Sequence, residues 1–146
     1  MPFFDLLSDK PVVRGDEPVP IHHAPKKSIL DCDDCRLFES ARSPKLRFTG
    51  EGKRGILIVG EQPSREEDRK GEYGYGDEYR FLQFSLESIG VDIREDCYYT
   101  TAINCAPTKT RAPLGKEVVA CRGRLLSLIK KLSPKAVILV GESAAE

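Results

Sequence analysis

The most constraining stretch of the chain is Gly55-Ile-Leu-Ile-Val-Gly60, an unbroken apolar run bracketed by glycines. A strand with one wet face alternates apolar and polar residues. A continuous run of this kind instead needs cover on both faces, normally from helices. The following segments supply that cover. Asp77 to Ile89 places Phe81, Leu82, Ser85, Leu86 and Ile89 on one helical face, with Gly90 as a stop. Cys97-Tyr-Tyr-Thr-Thr-Ala-Ile103 is aromatic and β-branched, and reads as a second strand. A helix is predicted from Lys116 to Leu132, with Val118, Leu125, Leu128, Ile129 and Leu132 inward and Ser133-Pro134 ending it. Lys135-Ala-Val-Ile-Leu-Val140 is the third strand. Strands joined through helices pair in parallel, so the expected class is α/β. Two strands end alike, in Val59-Gly60-Glu61 and Val140-Gly141-Glu142. The carboxyl ends of such strands carry the site, which directs attention to the turn after Gly60.

A chain of 146 residues suffices for one domain. Pro2, Pro11, Pro18, Pro20 and Pro25 make residues 1–30 an extended arm, leaving 31–146 as the folded domain. No apolar run reaches the length of a membrane span, and Met1-Pro2-Phe3-Phe4-Asp5 lacks the pattern of a secretory signal. A cytoplasmic protein is expected. The chain stops at Glu146, where a fourth segment should begin, so a truncated C-terminal part is also expected. Formal net charge is zero, but its distribution is uneven. Arg36 to Arg54 holds six basic residues against Glu39 and Glu51, and Cys97 to Lys135 holds eight against Glu117. Glu61 to Asp96 carries eleven acids and five bases. A basic face for phosphates and ordinary variation among surface helices account for these blocks equally well.

The cysteines add a second constraint. Cys32-Asp-Asp-Cys35 lies among acids that raise thiol pKa values and follows no strand, so ligation is a better reading than redox chemistry. Two further ligands are needed, and Cys105 and Cys121 stand at a strand end and within a helix. Cys97, at a strand start, reads as a small buried hydrophobe. His22 and His23 sit in the arm. Spacing alone does not separate zinc from an iron–sulfur cluster.

These cysteines are interleaved with recognisable turns: Ser43-Pro-Lys-Leu-Arg-Phe-Thr-Gly-Glu-Gly52, Ile56-Leu-Ile-Val-Gly-Glu-Gln-Pro-Ser64 and Glu67-Asp68-Arg69-Lys70-Gly71. Cys105-Ala-Pro107, Arg111-Ala-Pro113, Glu117 with Cys121-Arg122, and Pro134-Lys135 follow. With them the chain, from Asp31 to Ala145, resembles the iron–sulfur (family 4) uracil-DNA glycosylases and their phage relatives linked to DNA polymerases. The resemblance implies a three-layer sandwich around a central parallel sheet. It also implies a 4Fe–4S cluster on Cys32, Cys35, Cys105 and Cys121, with zinc as the alternative, and a monomer that acts on uracil-containing DNA. The implied reaction is hydrolysis of the N-glycosidic bond of uracil, the first step of base excision repair.

The residues carried over are Glu61 and Gln62 for catalysis, and Pro63, Ser64, Tyr73, Tyr75 and Thr101 for the substrate. Departures accompany them. Relatives read Glu-Ala-Pro-Gly where this chain has Glu61-Gln-Pro-Ser64. Their base-stacking Phe falls on Gly74, leaving Tyr73 or Tyr75 to substitute. Their base-reading Asn falls on Thr101, whose single hydroxyl lacks the donor and acceptor pair of an amide. The family's second motif, a His-Pro-Ser type turn, falls beyond Glu146, so the 146 residues alone are expected to be a weak enzyme. The competing expectation is a catalytically degenerate DNA-binding module that keeps the fold and the cluster.

Overall fold

In the computed structural model, which describes residues 34–109 and 111–146, the glycine-bracketed run forms β1 (Ile56–Gly60) at the centre of the sheet. The proline-rich arm, His22, His23 and Cys32 lie outside the described residues. β2 (Cys97–Thr101) and β3 (Ala136–Leu139) flank β1 in the order β2-β1-β3, both parallel to it, with Ile56 opposite Cys97 and Ala136. α1 (Arg65–Lys70) and α2 (Asp77–Glu87) connect β1 to β2; α3 (Gly115–Leu132) connects β2 to β3, and α4 (Glu142–Ala145) follows.

The β1-to-β2 crossover runs one way along the sheet, and the β2-to-β3 crossover returns past β1. Right-handed crossovers in opposite senses put their helices on opposite faces. Ile58 accordingly packs with Tyr73, Tyr79, Ile93 and Tyr99, while Leu57 and Val59 pack with Ala102, Leu125, Ile129, Leu132 and Ala144. Three layers result, as expected. Leu57 and Val59 are completely buried, each contributing roughly 1.5–3 kcal/mol of transfer free energy.

α2 departs from the sequence reading. Its inward side chains are Tyr79, Leu82 and Leu86, whereas Phe81 and Ile89 are 71% and 72% exposed. Tyr79 sets the phase, because its ring meets Tyr99 edge-on at 4.9 Å. Phe81, two residues on, then falls about 200° round the helix, and Ile89 lies past the helix end. α1 went unanticipated, although Ser64-Arg-Glu-Glu67 is a capping-box pattern. The Ser64 hydroxyl accepts from Glu67 N at 3.2 Å, and Glu67 Oε2 accepts from Ser64 N at 2.9 Å.

The sheet edges differ. Thr49 exchanges backbone bonds of 3.0 and 2.8 Å with Tyr99, covering the outside of β2. β3 is the other edge, and Val137, Ile138 and Leu139 are exposed.

Candidate active site

A cavity of about 460 Å³ opens at the carboxyl ends of β1 and β2. Its walls are the Glu61–Glu67 turn, Tyr75 to Tyr79, Tyr99, and the Ala106–Pro107 segment with Lys109. Gly60 lets them close together: a Cβ there would collide with Glu78 Oε1 and the Tyr99 hydroxyl. Tyr99 donates to Glu78 Oε1 at 3.4 Å. Burial, above all, raises the Glu78 carboxyl pKa; the charges of Glu61 and Glu67 add to this and the Tyr99 hydroxyl opposes it. Glu78 was not singled out from the sequence, and only its place at the start of α2, above the strand ends, would have suggested it.

Glu61, Gln62, Pro63 and Ser64 all line the cavity. Glu61 has a second task. Its Oε1 accepts from Ser143 N at 3.0 Å, tying the end of β1 to the first turn after β3. Gly141, at φ 96, leaves room for this carboxylate, which a Cβ would overlap. Gln62 donates from Nε2 to the Arg111 carbonyl at 2.9 Å, and its buried Oε1 has no partner among the described residues. Arg111 is itself anchored: its guanidinium grips Glu117 at 2.7 and 2.9 Å, and Glu117 Oε2 also accepts from Leu114 N at 2.8 Å. That guanidinium, first among several causes, holds the Glu117 carboxyl below the usual carboxylate range.

The loop facing this turn is organised by Glu67, which is 2% exposed. Its Oε1 accepts from the backbone N–H groups of Gly74, Tyr75 and Gly76 at 2.9, 3.4 and 3.4 Å. Tyr75 thereby reaches the cavity wall, and its hydroxyl donates to Glu72 Oε1 at 2.9 Å. Tyr73 and Thr101 are not brought to that wall. Both are buried, their hydroxyls 2.6 Å apart, and Thr101 Oγ1 also donates to the Ile103 carbonyl at 2.6 Å. The hydroxyl at the end of β2 is therefore consumed inside the core. Asn104 is also engaged, donating to the Leu46 carbonyl at 2.8 Å.

Cys35, Cys105 and Cys121 share a second apolar cluster with Leu37, Ile103 and Val118. Lys45 N donates to Cys105 Sγ at 3.2 Å. Among the described residues, no three candidate ligands converge tightly enough to hold a metal ion by themselves, and the fourth expected ligand, Cys32, lies outside them. Cys97 packs elsewhere, with Leu46, Ile58 and Tyr99, and burial pushes its thiol up. No helix among the described residues is long and apolar enough to cross a membrane.

A parallel sheet with helices on both faces and a cavity at its carboxyl end defines an open α/β protein with its candidate site at the strand ends. The family model for the uracil DNA glycosylase superfamily matches residues 48–146, and the chain belongs to that superfamily. It is 33% identical over 120 residues to the type-4 uracil-DNA glycosylase of Archaeoglobus fulgidus, covering 82% of this chain and 59% of that protein. The type-4 uracil-DNA glycosylase of Pyrobaculum aerophilum is 35% identical over 118 residues, 81% of this chain and 59% of the relative. A DNA polymerase of Bacillus phage SP01 is 31% identical over 100 residues, 68% of this chain and 11% of the polymerase. The chain thus spans about six tenths of the length of the two archaeal relatives, at 59% in each.

Proposed function

We propose that the protein is a DNA glycosylase that hydrolyses the N-glycosidic bond of uracil in DNA, acting as a cytoplasmic monomer in base excision repair. The observation that carries this reading is Gln62. Its side chain lines the cavity, its amide is pinned through Nε2 to the Arg111 carbonyl, and its buried Oε1 has no partner among the described residues. Excision requires an extruded base in a pocket, an oriented water, and stabilisation of charge as the bond breaks. Gln62, at the cavity wall, is assigned to orient the attacking water without removing a proton. Glu61 keeps one oxygen on Ser143 N and turns its negative charge to the sugar as positive charge develops there. Pro63 and Ser64 form the wall against the base, and Tyr75, held by Glu67, takes the stacking role. Tyr73 and Thr101 support that wall from the core.

The cysteine patch fits a 4Fe–4S cluster better than scattered thiols. Three candidate ligands share one apolar cluster, and an N–H donor on Cys105 Sγ is the kind of bond that stabilises a thiolate ligand. With Cys32, these residues would hold a structural cluster that clamps the CxxC loop to the end of β2 and to α3. Zinc remains the alternative, separable by elemental analysis and visible absorbance.

The test is base release. Protein purified without oxygen and given uracil-containing oligonucleotides should generate alkali-labile sites. Gln62→Ala and Glu61→Ala should each lower the rate by about 10²-fold or more, as for loss of a charge-stabilising contact. Intact binding without base release by the wild type would reject the enzyme reading.

A further inference from the structure

Beside the cavity lies a second groove of about 390 Å³, lined by Arg42, Arg65, Glu66, Asp68 and Arg69. Arg65 and Glu66 line both, so the two are continuous. Three guanidinium groups share this groove with two carboxylates, Asp68 and Glu66, each of which is bonded to a group other than these arginines. Asp68 spends its two oxygens on the backbone N–H groups of Ser43 and Arg42, at 2.8 and 3.1 Å. Glu66 is taken by Arg80 of α2 at 3.2 Å. Arg42, Arg65 and Arg69 form no ion pair among the described residues.

The placement is also fixed. Arg65 and Arg69, four residues apart on α1, project on one side of the helix. Arg42 faces them from a different segment, its backbone tied to Asp68 26 positions away in sequence. A chain with no formal net charge thus sets three guanidinium groups against two carboxylates in a groove next to its cavity.

We propose that Arg42, Arg65 and Arg69 form a phosphodiester-binding groove that holds the DNA backbone beside the nucleotide entering the cavity. The proposal rests on the reading of the protein as a DNA glycosylase and names the residues through which the strand is gripped. Guanidinium groups suit phosphate oxygens by charge and by their planar donors. Each phosphate neutralised releases counterions, which makes the contact readable as salt dependence.

The test compares wild type with the triple variant Arg42→Gln, Arg65→Gln, Arg69→Gln on duplex DNA containing one uracil. All three side chains are exposed, and thermal melting should show the fold retained. The slope of log K against log salt should fall by about 2–3, roughly 0.9 per lost phosphate contact, with affinity at low salt reduced tenfold or more. As a control, Lys130→Gln with Lys131→Gln should leave the slope intact. These lysines end α3, which runs against the strands, so they lie at the sheet end away from the cavity. Neutral methylphosphonate at the phosphates flanking uracil should weaken the wild type and not the variant, the coupling expected of a shared contact. An unchanged slope in the triple variant, or fully additive effects, would overturn the groove while wild-type DNA binding still supports the glycosylase reading. Absence of salt-dependent DNA binding by the wild type would overturn both.

Discussion

Glu67 and Glu117 are each the third residue of a helix and each 2% exposed, yet their charges are compensated in opposite ways. Glu67 is surrounded by backbone donors from two loops: Ser64, Gly74, Tyr75 and Gly76. Glu117 instead faces one guanidinium, that of Arg111, plus a single backbone N–H from Leu114. The first arrangement shapes a loop directly, because four peptide groups must converge on one carboxylate. The second shapes a chain of contacts, since Arg111 is held by Glu117 and then holds Gln62 through its carbonyl. A carboxylate that collects amides builds a wall; one that collects a side chain positions something further off.

The largest effect should come from breaking the first arrangement. Glu67→Ala strips the acceptor from four backbone donors, two of them in long bonds of 3.4 Å. Allowing about 1.5–3 kcal/mol for each good bond to a charged group, the loss should be about 4 kcal/mol. Urea unfolding measures it, with Glu67→Gln expected to recover about half. A cost below ~1 kcal/mol would make the two glutamates equivalent and remove the distinction.

Arg111→Met should cost less, about 2 kcal/mol. It leaves the Glu117 carboxylate unpaired, but Arg111 is itself 35% exposed, so solvent already screens part of the interaction. Adding Glu117→Leu should restore most of that stability, as expected when both members of a buried pair become apolar. The double variant should nevertheless lose excision activity if the Arg111 carbonyl shifts, because Gln62 then loses its anchor. Stability and activity would part company there, whereas at Glu67 they should fall together.

The smallest effect is in pH. A carboxyl held below its ordinary range stabilises the fold above its unfolded pKa, about 4.3 for Glu, and that contribution disappears as pH falls through the lower folded value. Glu117→Gln should therefore flatten the acid limb of the stability curve, as urea unfolding at a series of pH values would show. Glu78 has the opposite sign: its raised pKa penalises the native state at neutral pH, and the penalty lifts as pH falls. Stability measured from pH 7 downward in the two Gln variants should diverge in direction.

The three strands and the two long helices were legible in sequence because each depends on local pattern: an apolar run, a 3.6-residue period, a terminating proline or glycine. The phase of α2 was not, since one tertiary ring contact between Tyr79 and Tyr99 decides which stripe turns inward. At the site, the turn Glu61–Ser64 was legible because its position at a strand end is topological. The fates of Tyr73 and Thr101 depended on hydroxyls from distant segments meeting in the core, which no spacing reveals. Glu67 was visible as part of a familiar run, but its hold on the 74–76 backbone was hidden because the donors belong to main chain rather than to any residue type.

The two pairings of β1 differ in the length of chain each closes and in what lies beyond the partner strand. Ile56 meets Cys97 across 41 positions and Ala136 across 80, from residue numbers 97 − 56 and 136 − 56. Doubling the loop adds only about 0.6 kcal/mol of closure entropy. The larger asymmetry is what each pairing gains on arrival: β2 comes with the Thr49 segment sealing its outside, whereas β3 stays exposed on its flank. β2 is thus bonded on both of its sides, by β1 and by Thr49, and the Glu61–Ser143 contact adds a side-chain tie from the end of β1 to the segment after β3.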